Sequence, residues 1–301
     1  MSTLSEIRTA QLSPLRVGRI TGSRIPKIFN ISPYGDRASV MREMVREHFG
    51  APSEFLGNFI TDYGHEHEPH AIADYENCFG THVDKAGDDQ QLFIHPEIDF
   101  LAGTPDGLIG DDGLVEAKAP WKAAYSHISQ RLDYQMQIRL LLEATGRQWA
   151  DFVVWRPDGI AVSRVEHDPW WLEGVLPTLE EFHAEYLTII ANPDLAAPHL
   201  DELPTERTDL EWVEAASEYL EMQIAFNLAK AEMDSIKERL VKLREAAPEG
   251  TPARGGGVLL VRSEKSGSVA YAKAVKELLP GADLSAYKGE KSVVYSIRQA
   301  S

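Results

Sequence analysis

Asp106, Glu116 and Lys118 fall within one short stretch, GTPDGLIGDDGLVEAK. Two carboxylates joined by the backbone carbonyl of Ala117 make an oxygen-rich site of the kind that hard Mg²⁺ or Mn²⁺ takes. A lysine beside them can orient or deprotonate water, or stabilise negative charge as it develops. Metal-assisted hydrolysis is the chemistry within reach of this set, although the same residue types also suit a solvated hairpin edge. Other residues offer less. His65 and His67 point about 200° apart on a helix, which leaves only His67 and His70 to converge, and no zinc site is expected. Ser23 lacks the Gly-x-Ser-x-Gly elbow of a hydrolytic nucleophile. Trp170 and Trp171 could stack on bases, but paired aromatics after a strand are expected in the core.

The elements that must position the acidic pair can be read from periodicity. EIDFLAGTPDGLIGDDGLVEAKAP predicts two strands, around residues 99–109 and 113–119, joined by an Asp/Gly turn at 110–113. Glu116 and Lys118 are two apart on the second strand and share one face. Antiparallel pairing brings Asp106 to them. A helix is predicted over Glu66–Phe79, after Gly64 and before Gly80, and another over Trp121–Thr145, with Tyr134, Ile138, Leu141 and Leu142 on one stripe and Gly146 as its stop. ADFVVWRPDGIAVSRVEH supplies two further strands around a Pro157–Gly159 turn. The order helix, hairpin, helix, strands implies an α/β (α+β) fold with a mixed β-sheet flanked by helices. Pro193, Pro198 and Pro204 mark a boundary before a long charged helical segment at 206–246, whose apolar spacing is too irregular for a coiled coil. EGTPARGGG reads as a flexible link. VLLVR, a helix near Ala270–Leu279 and SVVYSIR then make a small strand-helix-strand module.

Composition bounds the setting. At 301 residues the chain exceeds a typical domain, so one large domain with an appendage is expected. No apolar run reaches the roughly 18 residues of a membrane span, and MSTLSEIRTAQLSPLRVGR lacks the apolar stretch of a secretory signal, so a cytoplasmic protein with no membrane partner is expected. The lone Cys78 cannot build a cysteine cage and is expected as a small buried hydrophobe. Net charge is −17, against the usual basic footprint of nucleic-acid binders. Residues 1–200 hold 16 Lys and Arg against 30 Asp and Glu, whereas residues 250–301 hold 8 against 4. Any nucleic-acid contact must therefore be local, and bound divalent cations would invert the charge at an acidic site.

TPDG at 104–107 followed by EAKAP at 116–120 resembles the PD-(D/E)xK nucleases, and specifically the lambda-exonuclease/YqaJ phage recombinase family. RVGRITGS at 16–23, GHEHEP at 64–69, YQMQ at 134–137 and FVVWRPDG at 152–159 match in family order, so the resemblance spans roughly residues 14–170. It implies a restriction-endonuclease-like core as a domain over 1–200, followed by the helical segment at 206–247 and the basic module at 255–301. It implies that Asp106, Glu116 and the Ala117 carbonyl bind metal, that Lys118 assists the attacking water, and that Glu68 and Gln135 complete the catalytic set. Arg16 and Ser23 match positions that grip a terminal 5′-phosphate, with Thr104 where the family commonly has serine; Arg with a hydroxyl suits phosphate. Taken alone, Glu68 reads as helix N-terminal charge, Gln135 as a solvated helix position and Arg16 as a surface residue.

The implied activity is a Mg²⁺-dependent 5′-to-3′ exonuclease on linear double-stranded DNA. It would use two ions, with Mn²⁺ able to substitute, and release 5′-mononucleotides and a 3′ overhang for recombination by strand annealing. The implied partners are double-stranded DNA ends, a single-strand annealing protein and further copies of the chain in a ring trimer. Two alternatives stay open: an endonuclease of restriction or repair type, and a non-catalytic DNA-binding assembly subunit, which the intact Asp106, Glu116 and Lys118 disfavour. Iron–sulfur relatives of the superfamily are excluded by the single cysteine.

Overall fold

The computed structural model describes residues 14–52, 57–85, 87, 90–122, 125–201, 207 and 209–261. Of the predicted strand-helix-strand module, everything from Arg262 onward lies outside these residues. Two compact units divide the chain, Met1–Leu228 with Gln299–Ser301, and Ala229–Arg298.

In the first unit a four-stranded mixed sheet carries the fold, in the order β3 (Gly107–Ile109), β4 (Gly113–Lys118), β5 (Trp149–Arg156), β6 (Gly159–Glu166). β4 is antiparallel to β3 and parallel to β5, and β5 and β6 form the hairpin expected around Pro157–Gly159. The parallel pair requires a crossover. Helix α4 (Leu132–Thr145) provides it and ends at Gly146 with φ 68°, as its spacing predicts. Alternation along the strands sends opposite sets of side chains to two helices. Val115, Ala117 and Val153 pack with Ala71, Ile72 and Tyr75 of α3 (Phe59–Phe79). Leu114, Ala150, Phe152 and Val154 pack with Ile138, Leu141 and Leu142 of α4. Each fully buried Leu or Phe contributes about 1.5 to 3 kcal/mol, so both faces of the sheet are fastened.

A third apolar cluster joins Met136 and Leu140 of α4 to α1 (Ile25–Ile28), α2 (Arg37–His48) and α5 (Trp171–Ile190). A short pair, β1 (Phe93–Ile94) with β2 (Ala102–Gly103), borders it, and Ile20 bridges to Leu101. Inside the cluster Arg24 is fully buried against Glu43 and Glu47 of α2, at 2.8 Å and 2.5 Å. Its Nη1 donates to the Arg19 carbonyl. Burial raises the Glu43 carboxyl, but Arg24 and then Lys27 and Arg16 outweigh it and hold it down at about 2.

Several expectations are corrected. α3 starts at Phe59, seven residues before Glu66, because Asn58 caps it by accepting from the amides of Ile60 and Thr61; Gly64 lies inside the helix. Trp121–Arg131 is not part of α4. Trp121 packs edge-on to Phe59 and Tyr63, and the His127 and Gln130 side chains bond to local amides around a short 3₁₀ turn at Ile128–Gln130, which competes with an α-helix. The first predicted hairpin strand is broken, since 102–103 pairs with β1 and only 107–109 pairs with β4. Cys78 is exposed, near the solvated end of α3. Trp171 packs on the third cluster, but Trp170 is 75% exposed. Pro193 and Pro198 lie within α6 (Pro193–Leu200), whose terminal carbonyls accept from Arg42 and Arg46 of α2.

A single helix, α7 (Leu210–Glu245), realises the long charged segment and contains the division between the units. The end of the expected flexible link is a small hairpin, β7 (Arg254–Gly255) with β8 (Val258–Leu259), turned by Gly256 and Gly257 at φ 56° and 79°. Positive φ at both central residues suits such a two-residue turn.

Two consequences are testable. A Cβ on Gly103 would lie 2.6 Å from a Leu141 methyl, so Gly103→Ala should lower stability by about 1 to 3 kcal/mol through overpacking, read as a lower urea midpoint. An unchanged midpoint would mean that β2 can move away from α4. Glu43 is held from its ordinary 4.5 down to about 2, so its contribution is present above pH 4.5 and is lost as pH falls through about 2. Glu43→Gln should therefore flatten the loss of stability over that window, and parallel acid-unfolding curves for the two proteins would remove this role.

Candidate active site

The acidic pair is assembled by the register of β3 and β4. The Asp106 amide donates to the Val115 carbonyl at 3.1 Å, continuing the ladder, and the Asp106 Oδ2 accepts from the Ala117 amide at 2.8 Å. Glu116 and Lys118 stand on the α4 side of β4, where their neighbours Leu114 and Phe152 are core residues. Glu116 is only 1% exposed. Its Oε1 accepts from the Lys118 ammonium and from the Gln137 amide of α4, whereas its Oε2 is buried without a hydrogen-bond donor.

Burial, and then the nearby Asp106 carboxylate, push Glu116 up to about 7, against the opposing pull of Lys118 and Gln137. Burial disfavours the Lys118 ammonium, but Glu116 and Asp106 outweigh it and keep its pKa above the ordinary lysine range. Tyr134 lies beside this cluster: Lys118 is 5.4 Å and the Arg131 guanidinium 4.0 Å from its ring centre. Arg131 forms a buried two-point ion pair with Asp133.

Glu68 approaches from α3. The Gln90 amide donates both to Glu68, at 3.1 Å, and to Asp106, at 3.3 Å, so three carboxylates border one region with two amides and one ammonium among them. Among the described residues no three His, Cys, Asp or Glu side chains close into a ready metal cage; Gln90 donates between Glu68 and Asp106, and Lys118 donates to Glu116. The donor set nonetheless fits a hard divalent cation, since it consists of carboxylate oxygens, one of them buried without a donor. His67 and His70 lie elsewhere on α3, packed against Trp155.

Residues expected at the phosphate end come from two segments drawn onto α4 by glycines. A Cβ on Gly22 would lie 3.0 Å from the Gln137 side chain, and one on Gly103 would meet Leu141. Ser23 and Thr104 each follow one of these glycines, and Ser23 is exposed. Its hydroxyl is 3.5 Å from that of Thr21. Arg16 instead lies on the acidic pair of α2, 3.5 Å from Glu43 and 3.7 Å from Glu47.

Gln135 is not brought to the carboxylates. Its amide donates to the Ile128 carbonyl, and Gln137 takes the place beside Glu116. A signal was available in the helix itself: Gln137 is the polar member of the stripe 134, 137, 138, 141 that faces the sheet, and Gln135 lies off it. Gln90 belongs to no periodic element, and Arg24 hides in a segment whose ring of acidic partners is 19 and more residues away, so neither had a local signal.

Residues 12–148 match the model of the YqaJ-like viral recombinase domain. No curated protein matches the chain significantly. Among solved structures, LHK-Exo in complex with dAMP is 28% identical, covering 64% of this chain and 100% of that one with a TM-score of 0.54. The alkaline exonuclease LHK-Exo from Laribacter hongkongensis is 29% identical over the same shares with a TM-score of 0.53. Residues 12–148, less than half of the chain, are thus similar to the YqaJ-like viral recombinase domain, and the chain shares the mixed-sheet fold of the LHK-Exo structures.

Proposed function

We propose that this protein is a phage-type DNA exonuclease that degrades one strand of linear duplex DNA from the 5′ end, releasing 5′-mononucleotides and leaving a 3′ overhang for a strand-annealing partner. The observation that carries the reading is the convergence of Asp106, Glu116, Lys118 and Gln137 on one corner of the sheet, with Glu116 buried and one of its oxygens lacking a donor. The match of residues 12–148 to the YqaJ-like viral recombinase domain and the alkaline exonuclease neighbours support it.

Asp106, Glu116 and the Ala117 carbonyl would hold Mg²⁺, one of two ions, with Mn²⁺ able to substitute. A bound divalent cation supplies Lewis acidity, neutralising charge on the phosphate and acidifying water. The chain's own residues do the rest. Lys118, ion-paired to Glu116, orients the attacking water and offsets developing negative charge. Gln137 fixes the Glu116 carboxylate, and Glu68 adds an acceptor at the far side. Arg16, with Ser23 and Thr104, receives the terminal 5′-phosphate. Its ion pairs to the partly exposed Glu43 and Glu47 are long and can be exchanged for the stronger charge of a phosphate monoester. The assembly is a homo-oligomer, a ring trimer by family resemblance, acting in the cytoplasm.

Asp106→Asn, Glu116→Gln and Lys118→Ala should each lower nuclease activity on linear duplex by about two orders of magnitude or more, and EDTA should abolish it until Mg²⁺ is restored. Gln137→Ala should lower kcat while Gln135→Ala stays near wild type; the reverse order would return the role to Gln135. Full activity of the Glu116→Gln variant would overturn the site.

The end-reading role has its own test. A duplex with 5′-phosphate should be digested faster than the same duplex with 5′-hydroxyl, and closed circles should resist. Arg16→Ala should slow only the phosphorylated substrate, by about 1.5 to 3 kcal/mol of lost charge-assisted hydrogen bonding. Rapid cutting of closed circles would favour an endonuclease instead.

A further inference from the structure

Helix α7 presents two apolar stripes on opposite faces, which is why its spacing looks irregular when read as one. Val213 is buried, and Leu220, Ile224 and Leu228 are half-buried along the same stripe. Trp121 and Lys122 reach the neighbouring Glu214 and Glu218. Roughly half a turn away around the helix, a second series runs from Trp212 to Leu243 in alternating steps of three and four residues. Every one of its positions is apolar. Met222, Phe226 and Met233 in this series are 64%, 66% and 70% exposed. An a/d pattern sustained for more than four heptads is the seam of a coiled coil, not a solvated face.

We propose that this seam docks on the same helix of a second copy of the chain, forming an antiparallel two-stranded coiled coil. Two features favour a second copy in that direction. The first is volume. In the antiparallel register that places a positions against d positions, Phe226 meets Ala229, Leu240 meets Ala215, and Tyr219 meets Ile236. Trp212 and Met222 then meet Leu243 and Met233. Large side chains face small or medium ones in each layer, which fills a core evenly. A parallel register would set Trp212, Tyr219 and Phe226 each on its own counterpart and leave alanine on alanine at 215 and 229. The second feature is charge. The flanking e and g positions carry Glu211 and Glu218 in the N-terminal half, and Lys230, Lys237, Arg239 and Arg244 against Glu232 in the C-terminal half. Antiparallel pairing lays the acidic half along the basic half, whereas parallel pairing sets Arg239 against Arg244 of the other copy.

The test uses the full-length chain with its single, exposed cysteine replaced, Cys78→Ser, and with Met222→Cys or Met233→Cys added. Under mild oxidation, a mixture of the two variants should form an interchain disulfide. Each variant alone should not, because like positions lie eleven residues apart in this register, about 16 Å along the helix and beyond the reach of a disulfide. A two-fold contact cannot close within a three-fold ring, so the seam joins two rings, and Phe226→Glu should halve the mass measured by light scattering while linear duplex is still digested. Self-linking of Met222→Cys alone would overturn the antiparallel docking in favour of a parallel one. No interchain link together with a mass unchanged by Phe226→Glu would overturn docking of a second copy, and would assign the seam to a different protein or to another segment of this chain.

Discussion

Placing the Glu116 carboxylate at the centre of a sheet, between two helical layers, is the constraint around which the rest is arranged. A buried carboxylate costs several kcal/mol unless charge and hydrogen bonds compensate it. Here the compensation is incomplete: Lys118 and Gln137 share one oxygen and leave the other without a donor. A group in that condition either takes up a proton or attracts a cation. The push of Glu116 toward neutral pH expresses the first response in the protein alone, and its carboxylate neighbours provide for the second.

The architecture follows from supplying those partners. Because β4 is two-faced, Val115 and Ala117 can bind it to α3 while Glu116 and Lys118 open toward α4. The parallel crossover brings α4 over exactly this face, so a glutamine on the sheet-facing stripe reaches the carboxylate. Glycines at 22 and 103 remove the side chains that would hold the N-terminal segments away from α4. Those segments bring the serine and threonine of the expected phosphate end toward the same corner. The buried Arg24 pair fixes the helix against which Arg16 lies.

Much of this was legible in residue order. Strand alternation predicts that Glu116 and Lys118 share a face, and the Asp/Gly turn predicts the antiparallel approach of Asp106; both juxtapositions are present. Gly146 and Pro157–Gly159 end their elements where local backbone preference says they should. What was not legible depends on contacts across the fold. Gln90 gains its place only through partners 22 and 16 residues away, Glu68 and Asp106. The helix start at Phe59 was hidden by Gly64, since a capping box upstream outweighs the roughly 1 kcal/mol cost of an interior glycine. Two apolar stripes on α7 obscured one another because each alone has helical spacing.

Under the proposed function, an acidic chain must still attract a polyanion. The cations nearest the site are largely committed to internal carboxylates: Lys118 to Glu116, Arg131 to Asp133, and Arg24 with Arg16 to Glu43 and Glu47. These pairs orient the site but export little positive potential. A divalent ion held by Asp106 and Glu116 would change that balance locally, leaving the rest of residues 1–200, with 30 Asp and Glu against 16 Lys and Arg, acidic. Binding would then be concentrated at the reactive corner, and a duplex end that places its phosphate there gains an attraction that the interior of a duplex, lying along the acidic surface, does not.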